Sequence, residues 1–516
     1  MKRVSILWHK GGMSGKLELT NAGKLNISEF ALRENEHRLD IEIDGAKLTN
    51  GAFATVLTVR ARENPFSFFV RDVRSDYPIY IREYEVAVTD AEDCRTYEEI
   101  TKDIASKCLR SKIDMFEQEP EESFETAAAK SRSMRAPTWL GISRDIRMFE
   151  VAAHQVANDS ALWDTVTPMN HHSRVRYEEM GDIPIEFNYF AGRGIGCRYD
   201  LKRRLEKGVL PILNVVSLDD DMRYEHQMFV TNEIRPLKIE NVEGTHYLIS
   251  DKYAVAPTKR TPEQQAETDR IHDSEMYRDE ETVLYLKVTA INTAKVPRYC
   301  FMRLPQINVH AMTELTRNPM TFEEGLNAFS STGNVVMTST LNSEPFGEID
   351  SSILLTPGEK ATFVFKIPHR PIPKERAEAL IKTDYDAKLK ECIAFWEKKL
   401  ESMAKISLPE KRIEEMMKAG YLHLDLVCFG KEPDDAVAPV VGVYTPIGTE
   451  STPIIQYFEA VGNNKLAQRS IMYFMKKQRD DGFMQNFQTY MSETGPALWN
   501  AGEHYKITRD KEWLES

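Results

Sequence analysis

Between Asp481 and Tyr505 the chain sets amides and acids among aromatic rings: Gln485, Gln488 and Glu493 are interspersed with Phe483, Phe487, Tyr490 and Trp499. Such a mixture suits a ligand that is polar at its edges and flat and apolar on its faces, as a sugar ring is. Hydroxyls need paired donors and acceptors, and the ring faces stack on aromatics. A second cluster runs from Tyr444 to Thr452 and holds Glu450 at the start of a helical pattern. Cleaving a glycosidic bond takes one acid to protonate the leaving oxygen and a second carboxylate to activate water or attack carbon. The two must share a cleft with their pKa values pushed apart. Glu493 and Glu450 are the best-placed carboxylates, and each also fits a plainer role as a favourable partner for a helix dipole. Glu493 is therefore the catalytic candidate, and Tyr444, Glu450, Gln485, Gln488, Tyr490 and Trp499 are the candidate substrate-binding residues. Tyr490 and Trp499 would equally serve a packed core. The two glutamines suit hydroxyl partners better, because a buried amide must be fully paired.

The elements that must position these residues change character along the chain. Up to about residue 375 the pattern is predominantly β. Tyr80, Arg82, Tyr84, Val86 and Val88 alternate with Ile79, Ile81, Glu83, Glu85 and Ala87, and Leu284, Leu286, Val288 and Ala290 form one face of another strand. Residues 354–367 read as a strand, a Pro-Gly turn and a second strand. Many strands separated by turns argue for stacked sheets. Residues 91–136 read as helical or loose excursions, and the almost wholly polar residues 257–281 as an exposed loop or disordered segment.

After the Pro-rich break at 368–373 the period becomes helical. Tyr385, Leu389, Cys392, Trp396, Leu400 and Met403 line one apolar face, and Pro409 suits the first turn of the next helix. Ile413, Met416, Met417, Gly420, Leu424 and Val427 would continue a buried face. Helices are also expected at about 451–461, 464–479 and 494–508, with Asp510 capping a last one. His504 and Tyr505 would pack between helices, and Asp480 and Asp481, ahead of Gly482, read as solvated acids. The expected organisation is a β-sandwich-rich region over 1–373, a helical linker over 374–408 and a helical region over 409–516.

Other motifs are less specific. Gly192-Arg-Gly-Ile-Gly lacks the strand–loop–helix context of a phosphate loop and reads as a β-turn. His171 and His172 have no evident third metal ligand. The segment from Trp139 to Arg147 reads either as a hairpin reaching over the helical region or as a paired Arg–Asp turn.

The chain has 516 residues, a length that implies two or three cores. Its net charge of −13 argues against nucleic acid or an anionic membrane as a main partner. Six scattered cysteines, with no short Cys-x-x-Cys pair, fit reduced thiols better than disulfides or a zinc site. No signal-like or membrane-spanning apolar run is evident, so a cytoplasmic location is expected, and no cofactor or metal is indicated.

Three segments carry a family resemblance. Tyr444-Thr-Pro-Ile-Gly-Thr-Glu-Ser-Thr (444–452) stands where glucoamylase-like proteins have a sugar-gripping loop of Trp-x-Arg-Asp type. Residues 470–482 resemble a helix ending in Gln-x-x-Asp-Gly, and residues 488–510 resemble a segment of form Gln-x-Asp-Glu-Thr…Leu-Trp…His-Tyr…Thr-Gly-Asp. With a β-rich region and a helical linker ahead of them, the chain resembles the six-hairpin glycosidases, in particular bacterial glucoamylase-type hydrolases. The resemblance implies a β + α multidomain fold, in which a β supersandwich precedes an (α/α)6 barrel. It implies an inverting glycoside hydrolase acting on an oligosaccharide. A phosphorylase of the same architecture and a non-catalytic sugar-binding fragment are the alternatives. The sugar-gripping Arg-Asp pair is replaced here by Thr449-Glu450. Roughly four of the barrel's helices precede Ser516, so the resemblance also implies an incomplete barrel whose main acid/base pair lies further on.

Overall fold

The computed structural model describes residues 1–9, 15–21, 23–33, 36–107, 121, 123, 137–152, 164–194, 197–255, 258–307, 320–442, 444–487 and 489–515. The chain is mixed β and α. A small pair of sheets comes first. Strands Lys24–Arg33, Glu36–Asp44, Lys2–His9, Val86–Asp90 and Ile79–Ile81 form one sheet, and Gly15–Thr20, Val56–Ala61 and Phe66–Phe69 form the other. Val4, Ile6, Ile41, Ile43, Leu57, Val59 and Val88 fill the core between them.

The main β structure pairs a seven-stranded with a nine-stranded sheet. In the nine-stranded sheet, Met222–Asn232 lies antiparallel to Thr282–Asn292, with Tyr224 opposite Ala290, His226 opposite Val288 and Met228 opposite Leu286. These residues face the other sheet: Tyr189 OH lies 3.3 Å from His226 Nδ1, and the Phe301 N–H donates to Tyr224 OH at 3.1 Å. The opposite face carries Phe229 stacked on Tyr285, with ring centroids 5.1 Å apart. The strand-period reading of Leu284 to Ala290 therefore matches a sheet with two differently covered faces. The Pro357-Gly358 turn joins strands Asp350–Leu355 and Lys360–Pro368, which belong to different sheets. Gly358 holds φ +78°, where a residue without Cβ is unstrained.

Among the described residues the helices are α1 (Tyr97–Ser106), α2 (Tyr247–Lys252), α3 (Pro262–Met276), α4 (Lys374–Ile381), α5 (Tyr385–Leu400), α6 (Lys411–Leu426), α7 (Gly448–Ala460), α8 (Asn464–Met475), α9 (Thr494–Thr508) and α10 (Lys511–Glu515). Helix α5 covers the outer face of the nine-stranded sheet, with Tyr385, Cys392 and Trp396 buried as their spacing predicts. Asp510 Oδ1 caps α10 by accepting the Trp513 N–H at 3.0 Å, and the Trp513 ring packs on His504. No helix is long and apolar enough to cross a membrane.

Four expectations need correction. Residues 79–90 are not one strand: a 3-10 turn at Arg82–Tyr84 and a left-handed Glu85 at φ +52° break the alternation. The polar stretch 257–281 contains α3. Thr261 and Gln264 form a reciprocal capping box ahead of it, Pro262 occupies its first turn, and Thr268, Glu275 and Met276 are buried. Pro409 lies outside α6, whose N-cap is Glu410. The face of α6 predicted to be buried lies partly open, although Val427 beyond its end is buried as expected. Ile413 and Met416 are exposed and, with Met417, Leu424 and Trp139, line a groove of about 730 Å³. The buried residues are Glu414, Tyr421, Leu422, Asp425 and Leu426.

Asp425 explains that rotation. Its Oδ1 accepts Arg144 Nη2 at 2.6 Å and its Oδ2 accepts Ser143 Oγ at 2.6 Å, while Lys399 Nζ stands 3.4 Å from Oδ2. Arg144 also donates to the carbonyls of Asp425 and Cys428 and, through Nε, to Glu432 Oε1 at 2.9 Å. Glu432 is shared with Arg469 of α8 at 2.9 Å. A carboxylate with this partnership cannot be turned to solvent without stranding a buried guanidinium. The segment 139–147 is thus the paired Arg–Asp turn, with Asp145 bound to Arg147 at 2.7 Å, and it also grips the helices.

Arg144→Met leaves Asp425 buried without its main partner, so the unfolding free energy should fall by about 3–5 kcal/mol in chemical denaturation. Burial alone would raise the Asp425 pKa, but Arg144 and Lys399 outweigh it and hold it at about 2, below its ordinary 3.8. That stabilisation is complete above the unfolded value and is lost as pH falls through the folded one. Acid titration followed by circular dichroism should show wild type losing stability between about pH 4 and pH 2, with a smaller loss in Asp425→Asn.

Candidate functional site

Two connections bring the candidate residues together: 444–447 before α7, and 483–493 before α9. Glu493 is the N-cap residue of α9 but makes no side-chain cap there. Its carboxylate reaches the neighbouring helix instead. Oε1 accepts the Gly448 N–H at the start of α7 at 2.9 Å, and Oε2 accepts the N–H groups of Asn486 and Phe487, the latter at 2.8 Å. The residue has no exposed surface. Burial pushes the carboxyl above its usual range, the three N–H bonds oppose that rise, and the nearby charge of Glu450 adds to it.

Gly448 is required by this arrangement, since a Cβ there would lie 2.8 Å from Glu493 Cβ. Below the contact, α7 and α9 are joined by further buried polar pairs. Asn500 Nδ2 donates to Thr452 Oγ1 at 2.9 Å, and His504 Nδ1 lies 3.0 Å from Glu459 Oε1. The expectation that His504 packs between helices matches its burial.

Above Glu493 lies a group of rings. The Tyr444 and Phe487 centroids are 6.4 Å apart, and Phe487 meets Tyr490 edge to face, also at 6.4 Å. Tyr444 is 40 % exposed, and Phe487 and Tyr490 are half-buried. Tyr490 OH lies 3.1 Å from Thr449 Oγ1, and the Thr449 hydroxyl donates to the exposed Glu450. Gln485 is buried with its amide committed: Nε2 donates to the Tyr490 carbonyl at 2.8 Å and Oε1 accepts Lys259 Nζ at 2.5 Å.

Tyr444, Glu450, Gln485, Tyr490 and Glu493 thus converge on one pair of loops. Trp499 does not join them: it is 51 % exposed on α9 and, among the described residues, has no ring contact. Gln488 lies outside the described residues. Asp480 and Asp481 are exposed, as solvated acids should be. Among the described residues no three His, Cys, Asp or Glu side chains converge as metal ligands. His171 is buried with Nδ1 3.1 Å from the Ser250 carbonyl, burial lowers its pKa to about 4, and His172 is exposed. Gly192 and Arg193 form a turn, where Arg193 binds Asp219 Oδ1 at 2.9 Å, and Ile195 and Gly196 lie outside the described residues.

Sequence reasoning missed Gly448, Asn486 and Lys259. Gly448 had a signal: a glycine at a helix start, in Ile-Gly-Thr, marks a close approach. Lys259 had none, because its segment reads as a polar loop. A cavity of about 920 Å³ lies elsewhere, on the outer face of the nine-stranded sheet among Lys287, Lys366, Asp384 and Tyr385. It contains none of the candidate residues.

No protein-family model matches the chain. No curated protein matches it either. Among solved structures the chain is similar to a bacterial glucoamylase complexed with acarbose, at 10% sequence identity and a TM-score of 0.36. The match covers 73% of this chain and 56% of that one, so it spans little more than half of that protein's length.

Gly448→Ala should destabilise the chain by about 1–3 kcal/mol, because the new Cβ meets the Glu493 backbone and stem rather than a flexible tip. Glu493→Gln turns an amide nitrogen toward backbone N–H donors and should cost about 1–3 kcal/mol. Thermal unfolding of both variants checks this. Wild-type stability in either would mean that the carboxylate does not hold the two loops together.

Proposed function

We propose that the loops 444–452 and 483–494 bind a carbohydrate and that the chain belongs to a carbohydrate-active enzyme of glycoside hydrolase type. The observation that carries this reading is the group Tyr444, Phe487 and Tyr490, held at the surface beside Glu450 and Thr449. Rings offer the apolar faces that sugars stack on, and the adjoining carboxylate and hydroxyl offer acceptors and donors for sugar hydroxyls. In this reading Tyr444, Glu450 and Tyr490 touch the sugar, Gln485 and Glu493 hold the loops that present them, and Trp499 is an outlying platform. The bacterial glucoamylase similar to this chain is described in complex with acarbose.

The same proposal divides the chain at residues 373 and 408 and takes 409–516 as part of an (α/α)6 barrel. Hydrolysis with inversion would use a general acid and a carboxylate that activates water from the opposite face of the sugar. The candidate carboxylates are Glu450, exposed on this face, and Glu493, buried behind it. Raised pKa at one and exposure of the other is the asymmetry such a pair uses. A second reading, saccharide binding without cleavage, is favoured by one observation: both Glu493 oxygens are occupied by backbone N–H groups.

Isothermal titration with an oligosaccharide panel, paired with an aryl glycoside assay, separates the two. Saturable binding should weaken by about 1 kcal/mol in Tyr490→Ala and also fall in Glu450→Gln. Product release that disappears in Glu450→Gln supports hydrolysis, whereas binding without release supports the second reading. Absence of any saccharide binding would sink both.

A further inference from the structure

The segment 255–261, which belongs by sequence to the β-rich part, crosses the carbohydrate face and changes its charge. Its described residues are held at several points. The Val255 N–H donates to the Tyr444 carbonyl at 3.1 Å, Thr258 forms a β-bridge with Phe487, and the Lys259 N–H donates to the Asn486 carbonyl at 2.7 Å. The Lys259 carbonyl accepts Lys477 Nζ at 3.1 Å, and Lys477 is itself paired with Asp251. The Lys259 ammonium is thereby delivered to Gln485 Oε1, one residue from the backbone that binds Glu493.

That ammonium has no carboxylate partner among the described residues. Other cations of the helical part are paired: Arg469 with Glu432, Lys476 with Asp435, Lys477 with Asp251 and Arg479 with Asp481. The nearby acids are also committed. Asp251 serves Lys477 and Tyr473, Glu493 accepts three backbone N–H groups, and Glu450 accepts the Thr449 hydroxyl. A lysine carries three donors, and Lys259 spends one of them on a neutral amide. Arg260 follows directly, with a buried Nη1 that has no hydrogen-bond partner among the described residues. Lys259 and Arg260 are thus adjacent cations with no ion pair among the described residues.

We propose that this face takes a saccharide bearing an anionic group, a carboxylate or a phosphate, which the Lys259 ammonium binds while the rings of Tyr444 and Tyr490 take the sugar. The proposal rests on the carbohydrate reading above. It deepens that reading by naming the substrate class, since a charge-assisted hydrogen bond is about twice as strong as a neutral one.

The test titrates the full chain with glucose, glucuronate, glucose 6-phosphate and inorganic phosphate, at low and at high salt. At least one charged sugar should bind roughly tenfold tighter than glucose at low salt, and the advantage should shrink as salt screens it. Which of the two does so identifies the anionic group. Lys259→Met should bring the charged-to-neutral affinity ratio close to one, and Lys259→Arg, which keeps the charge, should retain the preference. Glucose binding with no advantage for either charged sugar would overturn this inference and leave the carbohydrate reading standing. A preference that survives Lys259→Met would likewise overturn it, as would inorganic phosphate binding as tightly as glucose 6-phosphate. If none of these sugars binds while a panel oligosaccharide does, this inference falls alone, and if no saccharide binds at all, the carbohydrate reading fails with it.

Discussion

Asp425, sealed near the end of α6, is the constraint on which the helical part depends. A buried carboxylate costs several kcal/mol in lost hydration unless it is paired and hydrogen-bonded. Here the Arg144 guanidinium, the Ser143 hydroxyl and the Lys399 ammonium all converge on it. Arg144 comes from a turn between strands, where it holds φ +72°, an uncommon conformation for a residue with a side chain. One side chain therefore fixes the rotation of α6, satisfies the carbonyls at its C-terminal end, and meets Glu432 and through it α8. Such pairs add little net stability compared with an apolar core of the same volume, but they penalise every other arrangement. Their contribution here is register: they select which face of α6 turns inward, and they leave Ile413 and Met416 outside.

The consequence runs along the chain to the candidate site. After α6, Cys428–Phe429 pairs with Ala438–Pro439, and the Pro439 carbonyl accepts Ser451 Oγ at 2.6 Å in the first turn of α7. The start of α7 is thus placed from one side by the strand pair and from the other by Glu493. Buried polar pairs then link α7 and α9 at three levels: Gly448 with Glu493, Thr452 with Asn500, and Glu459 with His504. Because each partner would be left unsatisfied if the helices slipped, the loops that carry Tyr444 and Tyr490 are held in one relation. A site that presents rings to a ligand benefits from such support, since less motion is lost on binding.

Much of this was legible where a single periodicity dominates. The stripe from Tyr385 to Trp396 and the helix around 464 follow from spacing alone, because one apolar face decides each, whereas α9 buries Ala497, Asn500 and His504. Legibility failed where a distant partner overrode the local pattern. The spacing from Ile413 to Val427 describes a good apolar face, yet Asp425 outranks it, because a misplaced charge costs more than an exposed methionine. Helix α3 was hidden by its polarity, although its Thr261-Pro262 start is a standard stop-and-cap signal. The group Tyr444, Glu450, Gln485, Tyr490 and Glu493 was recognisable by residue type. The roles of Gln485 and Glu493 as loop anchors were not, because Lys259 and Gly448, which reveal them, lie 226 and 45 residues away.

If the chain binds sugar as proposed, the two loops joined by Glu493 are the face that meets it. Hydrogen–deuterium exchange across the chain, with and without saturating maltotriose or whichever panel sugar binds, tests this most directly. The account expects slowed exchange in peptides spanning 444–452 and 483–494, and in the crossing segment 255–261, with the distant sheets unchanged. Slowing confined to the sheet groove around Lys287 and Lys366, with those loops unaffected by bound sugar, would contradict it.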